Sequence, residues 1–188
     1  MEDNEYYYNY YREKYYNACA EINSCDQRIY SLQQQRKTIS QSIISLNAKI
    51  RKLENTVEDL EDVLGCESKI SSQMTTVNTK IQEAAVNYSG MVSSSDVANK
   101  DLTSVYSDDN ATTKTTISNV FATVRTKKTN LSSDLSDLQA ELQHKRNEQQ
   151  SADKEIGIQQ SNRSYWQQQK TNAYYNMEYY RRKMMAVS

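Results

Sequence analysis

Apolar residues in the first third of this chain recur at alternating steps of three and four, and that spacing limits the fold more than any other feature. The run is Ile22, Cys25, Ile29, Leu32, Arg36, Ile39, Ile43, Leu46, Ile50, Leu53, Val57, Leu60, Leu64. Read backwards, the same register collects Ala18, Tyr15, Tyr11 and Tyr8, and only Arg36 interrupts it. A repeat held over about seven heptads is the pattern of a coiled-coil seam rather than of one amphipathic surface helix. The phase slips at Gly65-Cys66 and resumes as Ile70, Met74, Val77, Ile81, Ala84, Tyr88, Met91. Such a slip overwinds or unwinds a coiled coil locally without ending it.

A second seam begins at Ile117. It runs through Phe121, Val124, Lys128, Leu131, Leu135, Leu138 and Leu142, then Lys145, Gln149, Ala152, Ile156 and Gln159. Arg163, Trp166, Lys170, Ala173, Met177, Tyr180 and Met184 complete it. Between the two seams, Gly90 to Asp96 offers a helix-ending glycine, a serine run and a capping aspartate. With no proline and three glycines in 188 residues, little else punctuates the backbone. The expected fold is therefore all-α: one long antiparallel two-helix coiled-coil hairpin, a single domain over 1–188, completed to a bundle by dimerisation or a partner. Arm one covers about 4–90 and the turn about 90–96. A short tip helix is expected at 96–106, because Leu102 and Val105 leave the later register and 107–112 is polar. Arm two covers about 112–186.

Charge favours doubling back over a parallel dimer. If the chain folds near residue 93, positions adding to about 186 lie opposite each other. Glu58, Asp59, Glu61 and Asp62 then face Arg125, Lys127 and Lys128, and Lys49, Arg51 and Lys52 face Asp134 and Asp137. Arg36 meets Gln149, Arg28 lies near Glu155, and Glu2, Asp3 and Glu5 meet Arg181, Arg182 and Lys183. Exposed pairs are worth at most about 1 kcal/mol each, so their use is in selecting register.

The same composition narrows the function. Net charge is −1, from 23 basic and 24 acidic residues, which argues against nucleic acid and against a polybasic membrane surface. No apolar run is long enough to span a bilayer. The acidic start, Met1 to Glu5, is unlike a Sec signal peptide, so a cytoplasmic location is expected, with any export by another route. The lone His144 sits outside the seam beside Gln143, with no nucleophile placed for it. No phosphate loop or metal-ligand spacing is present, so no enzyme, cofactor or metal is expected. Cys19, Cys25 and Cys66 read as small apolar fillers.

The unusual feature is aromatic. Of fifteen tyrosines, Tyr6, Tyr7, Tyr8, Tyr10, Tyr11, Tyr15 and Tyr16 crowd the beginning, and Tyr165, Tyr174, Tyr175, Tyr179 and Tyr180 crowd the end. Tyr8, Tyr11, Tyr15 and Tyr180 hold seam positions. Tyr6, Tyr7, Tyr10, Tyr16, Tyr174, Tyr175 and Tyr179 cannot all point inward, and tyrosine suits protein–protein contact. These seven, with Glu178, are the candidate protein-binding residues.

Two short motifs carry a resemblance. Tyr88-Ser89-Gly90 lies at the expected turn, and Tyr174 to Glu178 gives Tyr-x-x-x-Glu near the C-terminus. A helical hairpin with these motifs resembles the ESAT-like (W-x-G) proteins of type VII secretion, with Tyr88 standing where that family has tryptophan. The tyrosine-rich beginning and the length are more similar to the small helical partners of LXG-domain toxins in Gram-positive bacteria. The resemblance implies a targeting partner or chaperone that binds a helical toxin domain without cofactor. It implies Tyr174 and Glu178 as an exposed recognition signal, and Tyr88 and Gly90 as shaping the turn. A structural, self-assembling coiled-coil rod of a phage, envelope or cytoskeleton is the alternative.

Overall fold

The computed structural model describes the backbone of residues 2–91 and 96–186, and the side chains of 3–84, 86–87 and 108–186. The fold is all-α, with three helices in order: α1 (Glu2–Gly65), α2 (Glu67–Met91) and α3 (Asp96–Met185). The expected turn residues 92–95 lie outside the described residues, as does the Tyr88 side chain. The backbone of Tyr88 and Gly90 belongs to α2, which continues to Met91. The separate tip helix is not found: α3 runs unbroken through Ser107 to Thr112. Polarity alone does not end a helix that contains no proline or glycine at that point.

These helices are rich in serine and threonine, residues that compete with helical backbone bonds. Many of them bond back instead to the carbonyl four residues earlier. Thr56 donates to Lys52 at 2.9 Å, Thr115 to Ala111 at 2.9 Å and Thr123 to Asn119 at 2.9 Å. The hydroxyl is satisfied without leaving the helix. Arg182 and Lys183 in the last turn of α3 complement its negative end.

Contacts divide the chain into two compact units where one domain was expected: Met1–Asn47 with Ala140–Ser188, and Ala48–Gln139. In the first unit, α1 packs antiparallel on the end of α3. Ala18, Ile22, Cys25 and Leu46 are buried against Leu142, Ala152, Gln159 and Ala173. Asp26 accepts from Arg163 Nε at 2.6 Å, Arg36 Nε meets Asp153 at 2.7 Å, and Gln149 Nε2 donates to Ser40 Oγ at 2.9 Å. The two residue numbers in each of these pairs add to 189. The register is thus displaced by three from the expected 186, and Arg36 does not share a layer with Gln149. Burial of alternating seam side chains sets the alignment, and half-exposed charges, worth less, adjust to it. Gln159 is 5% exposed, and its amide donates to Glu155 Oε1 at 2.8 Å.

In the second unit, Ile50 and Phe121 are buried and Leu53, Val57, Leu60 and Leu64 are half-buried. Lys128 Nζ meets Glu61 at 2.6 Å, one of the expected charge pairs. Lys49, Arg51 and Lys52 form no ion pair among the described residues, although Asp134 and Asp137 were expected to face them. After the slip the half-buried positions are Leu64, Glu67, Ile70, Met74, Asn78 and Ile81. Two steps of three in succession overwind the pair locally, and Glu67 moves into the seam, where it pairs with Arg125. Val77 and Ala84, both expected in the seam, are exposed. Opposite this part of α2, α3 offers Asp109, Asn110 and Thr113 around a groove of about 370 Å³.

Candidate interaction surface: the tyrosine end

The heptad register explains how the first unit gathers its tyrosines. Residues 8, 11 and 15 of α1 and 180 of α3 are seam positions, all half-buried, so antiparallel pairing brings the first tyrosines onto the last. The Tyr180 ring lies nearly parallel to Tyr7, centroids 5.1 Å apart, and to Tyr11 at 5.9 Å. Tyr15 meets Tyr174 at 6.2 Å. Offset stacking of this kind adds about 0.5–1.5 kcal/mol per pair beyond area burial.

The remaining rings form an outer layer on this inner one. Tyr6 packs edge-on to Tyr7 at 5.4 Å and stacks with Tyr10 at 6.5 Å. Tyr16 leans edge-on against Tyr15, Tyr175 against Tyr174 and Tyr179 against Tyr180. All seven candidate tyrosines are 40–68% exposed. Tyr7 and Tyr174 have two tasks, since each also joins α1 to α3. Among the described residues, the aromatic partners of Tyr6, Tyr10, Tyr16, Tyr175 and Tyr179 are tyrosines of their own helix.

Tyr165 is a further exposed ring of α3, outside the seven candidates. It is 54% exposed and packs edge-on to Trp166 at 5.1 Å. Its signal was available: it precedes the seam residue Trp166 and so points outward.

Cations decorate the rings. Lys14 sits 4.5 Å from the Tyr10 centroid, Lys183 4.7 Å from Tyr179 and Lys170 5.5 Å from Tyr15. Lys14 is held above its ordinary value chiefly by a hydrogen bond with the Tyr10 side chain, and Lys183 likewise by Tyr179. Both ammonium groups therefore stay charged well into alkaline pH. Glu178 is not the free carboxylate of an exposed signal. Its side chain is 20% exposed, and its Oε2 accepts from Arg181 Nε at 3.1 Å and Nη2 at 2.9 Å. Arg181 thus turns to its own helix, and among the described residues Asp3 and Glu5 join no ion pair at this end.

Elsewhere the chemistry is sparse. His144 is exposed, its Nδ1 3.4 Å from Glu148 Oε1. Cys25 is buried and Cys19 half-buried, but Cys66 is exposed, so the filler reading fails for it. It lies between α1 and α2, where its amide bonds Val63 O at 3.2 Å in a tightened turn. Among the described residues no group of three His, Cys, Asp or Glu could hold a metal ion. No described helix is long and apolar enough to cross a membrane. Comparison with known proteins gives no match: no family model fits the chain, and no curated protein or solved structure is similar to it.

Proposed function

We propose that this chain is a non-enzymatic binding protein that takes hold of a helical partner protein through the tyrosine-coated end of its first unit. The observation that carries this is the outer layer of tyrosines, large rings with polar tips resting on an inner layer that fixes their backbone. Rigid, amphipathic rings lose little conformational entropy on contact, which is why tyrosine anchors interfaces. Substituting Tyr6, Tyr16 and Tyr175 together by serine is expected to abolish partner binding in the native host while leaving helicity unchanged. Undiminished binding by that variant rejects the surface.

The resemblance to type VII secretion proteins supports a finer reading, a targeting partner or chaperone for an LXG-type toxin. In that reading Tyr174 offers its exposed ring, and Glu178 with its Arg181 clasp offers a rigid, partly neutralised acidic group one turn away. Replacing Tyr174 and Glu178 by alanine is expected to stop secretion of the cargo without loss of helix content; normal secretion rejects the signal. The competing reading, a self-assembling rod, draws on Ile44 and Ile158, exposed apolar residues outside both seams. Concentration-dependent assembly in sedimentation would favour it.

A further inference from the structure

A second surface lies in the first unit, away from the tyrosines. The seam between α1 and α3 has two flanks, and they are finished differently. The three cross-links Asp26–Arg163, Arg36–Asp153 and Ser40–Gln149 draw on Asp26, Ser40 and Asp153, each one residue after a seam position. That flank is closed. Residues one before a seam position lie on the opposite flank, and here a groove of about 780 Å³ stays open. Ala152 in its lining is buried and Leu32 and Ile39 are half-buried, while the half-buried Glu148 and Glu155 and the exposed Gln35 edge it.

The charged residues of the groove lining, Glu148 and Glu155, are both acidic. Along α3, Glu141, Glu148 and Glu155 follow each other at seven-residue spacing. The residues of α1 that correspond to Glu148 and Glu155 are Ser42 and Gln35, which carry no charge; the same row of α1 becomes basic only outside the groove lining, at Lys49 and Arg28. Arg36, next to Gln35 in the sequence, is committed to Asp153 on the closed flank. Arg28 is one heptad beyond Gln35, across from Asn162 in the register rather than from a glutamate. Lys145 meets Glu148 at 2.8 Å, and His144 lies beside it. Those neighbours hold the Glu148 carboxyl below its ordinary range, so it stays ionised. Glu141 and Glu155 join no ion pair among the described residues.

We infer that this flank is a docking groove for one amphipathic helix of another protein, with aliphatic residues on its inner face and Lys or Arg at seven-residue spacing along its edge. Glu148 and Glu155 are about 10 Å apart along α3, so two basic residues two turns apart meet both carboxylates while the aliphatic face covers Leu32 and Ile39. The small Ala152 between the glutamates lets the incoming backbone approach. A second copy docked groove to groove would set the same acidic edges near one another, which charge disfavours. The inference is independent of the tyrosine surface and survives its failure.

The test uses the full chain and two synthetic helical peptides with the same leucine face, one flanked by lysines and one by glutamates. Because the protein's net charge is −1, a strong preference between them reports a local site rather than bulk attraction. The lysine peptide is expected to bind, more weakly as salt rises, and the glutamate peptide not to. Glu148→Lys with Glu155→Lys should weaken binding about tenfold or more, and Gln35→Trp, which fills the mouth from an exposed position, should do the same. The Tyr6, Tyr16 and Tyr175 serine variant should bind the peptide as the parent does. Three results overturn the inference: no binding of the lysine peptide, equal binding by the Glu148→Lys and Glu155→Lys variant, or a parent dimer that Gln35→Trp converts to monomer.

Discussion

Single side chains in this protein do one of three things, and spacing decides which. Seam residues bury apolar area, residues beside the seam tie α1 to α3, and outward tyrosines are left for contact. Lys14 illustrates the last group, since its charge is supported by an exposed phenol rather than by burial. Its folded pKa is raised, so any stabilisation from that contact is present below the unfolded value near 10.5 and fades as pH climbs through the folded one. Tyr10→Phe should therefore move the Lys14 titration down toward its ordinary value in an NMR pH series; an unmoved curve removes the hydrogen bond from the account. The cysteines offer a second check. Cys66 is exposed and Cys25 buried, so under native conditions a thiol reagent should label Cys66 first and reach Cys25 only on unfolding.

At the level of elements, the long helices persist because nothing breaks them, and Gly157 is a weak point in α3. A methyl group added there meets nothing within 4 Å, and Gly157→Ala should raise stability by about 1 kcal/mol in denaturant unfolding. Leu46→Ala, at a buried seam position, should cost about 2–5 kcal/mol, toward the low end because a two-helix seam can close up. Nearly every seam residue of α1 and α3 was legible from its three-four spacing, since a thin core leaves that pattern undiluted by other packing. The exact register was not, because charge pairs of about 1 kcal/mol or less cannot fix it. The Glu67 insertion was missed for a related reason: a carboxylate does not announce itself as a seam residue until Arg125 is found beside it. Around the tyrosines, residue type located the surface, but the clasp of Glu178 by Arg181 depends on rotamers that spacing does not specify.

For the whole chain, the accessible surface is 13910 Å², against about 9,300 Å² for an ordinary globular protein of this mass. Much of the apolar area that pays for folding elsewhere stays uncovered, as Ile44 and Ile158 show, and partner binding is the natural way to cover it. Both proposed surfaces, aromatic end and acidic groove, require the beginning of α1 and the end of α3 to lie side by side in one molecule. Spin labels at Glu13→Cys and Asn176→Cys, with the native cysteines replaced by alanine, read that pairing directly. The expected separation is about 10–25 Å, an interhelical spacing of about 8–10 Å plus the label arms, and it should persist when labelled chains are diluted into unlabelled ones. A distance beyond about 50 Å, or a short distance that vanishes on dilution, would mean that the two segments do not meet within one chain.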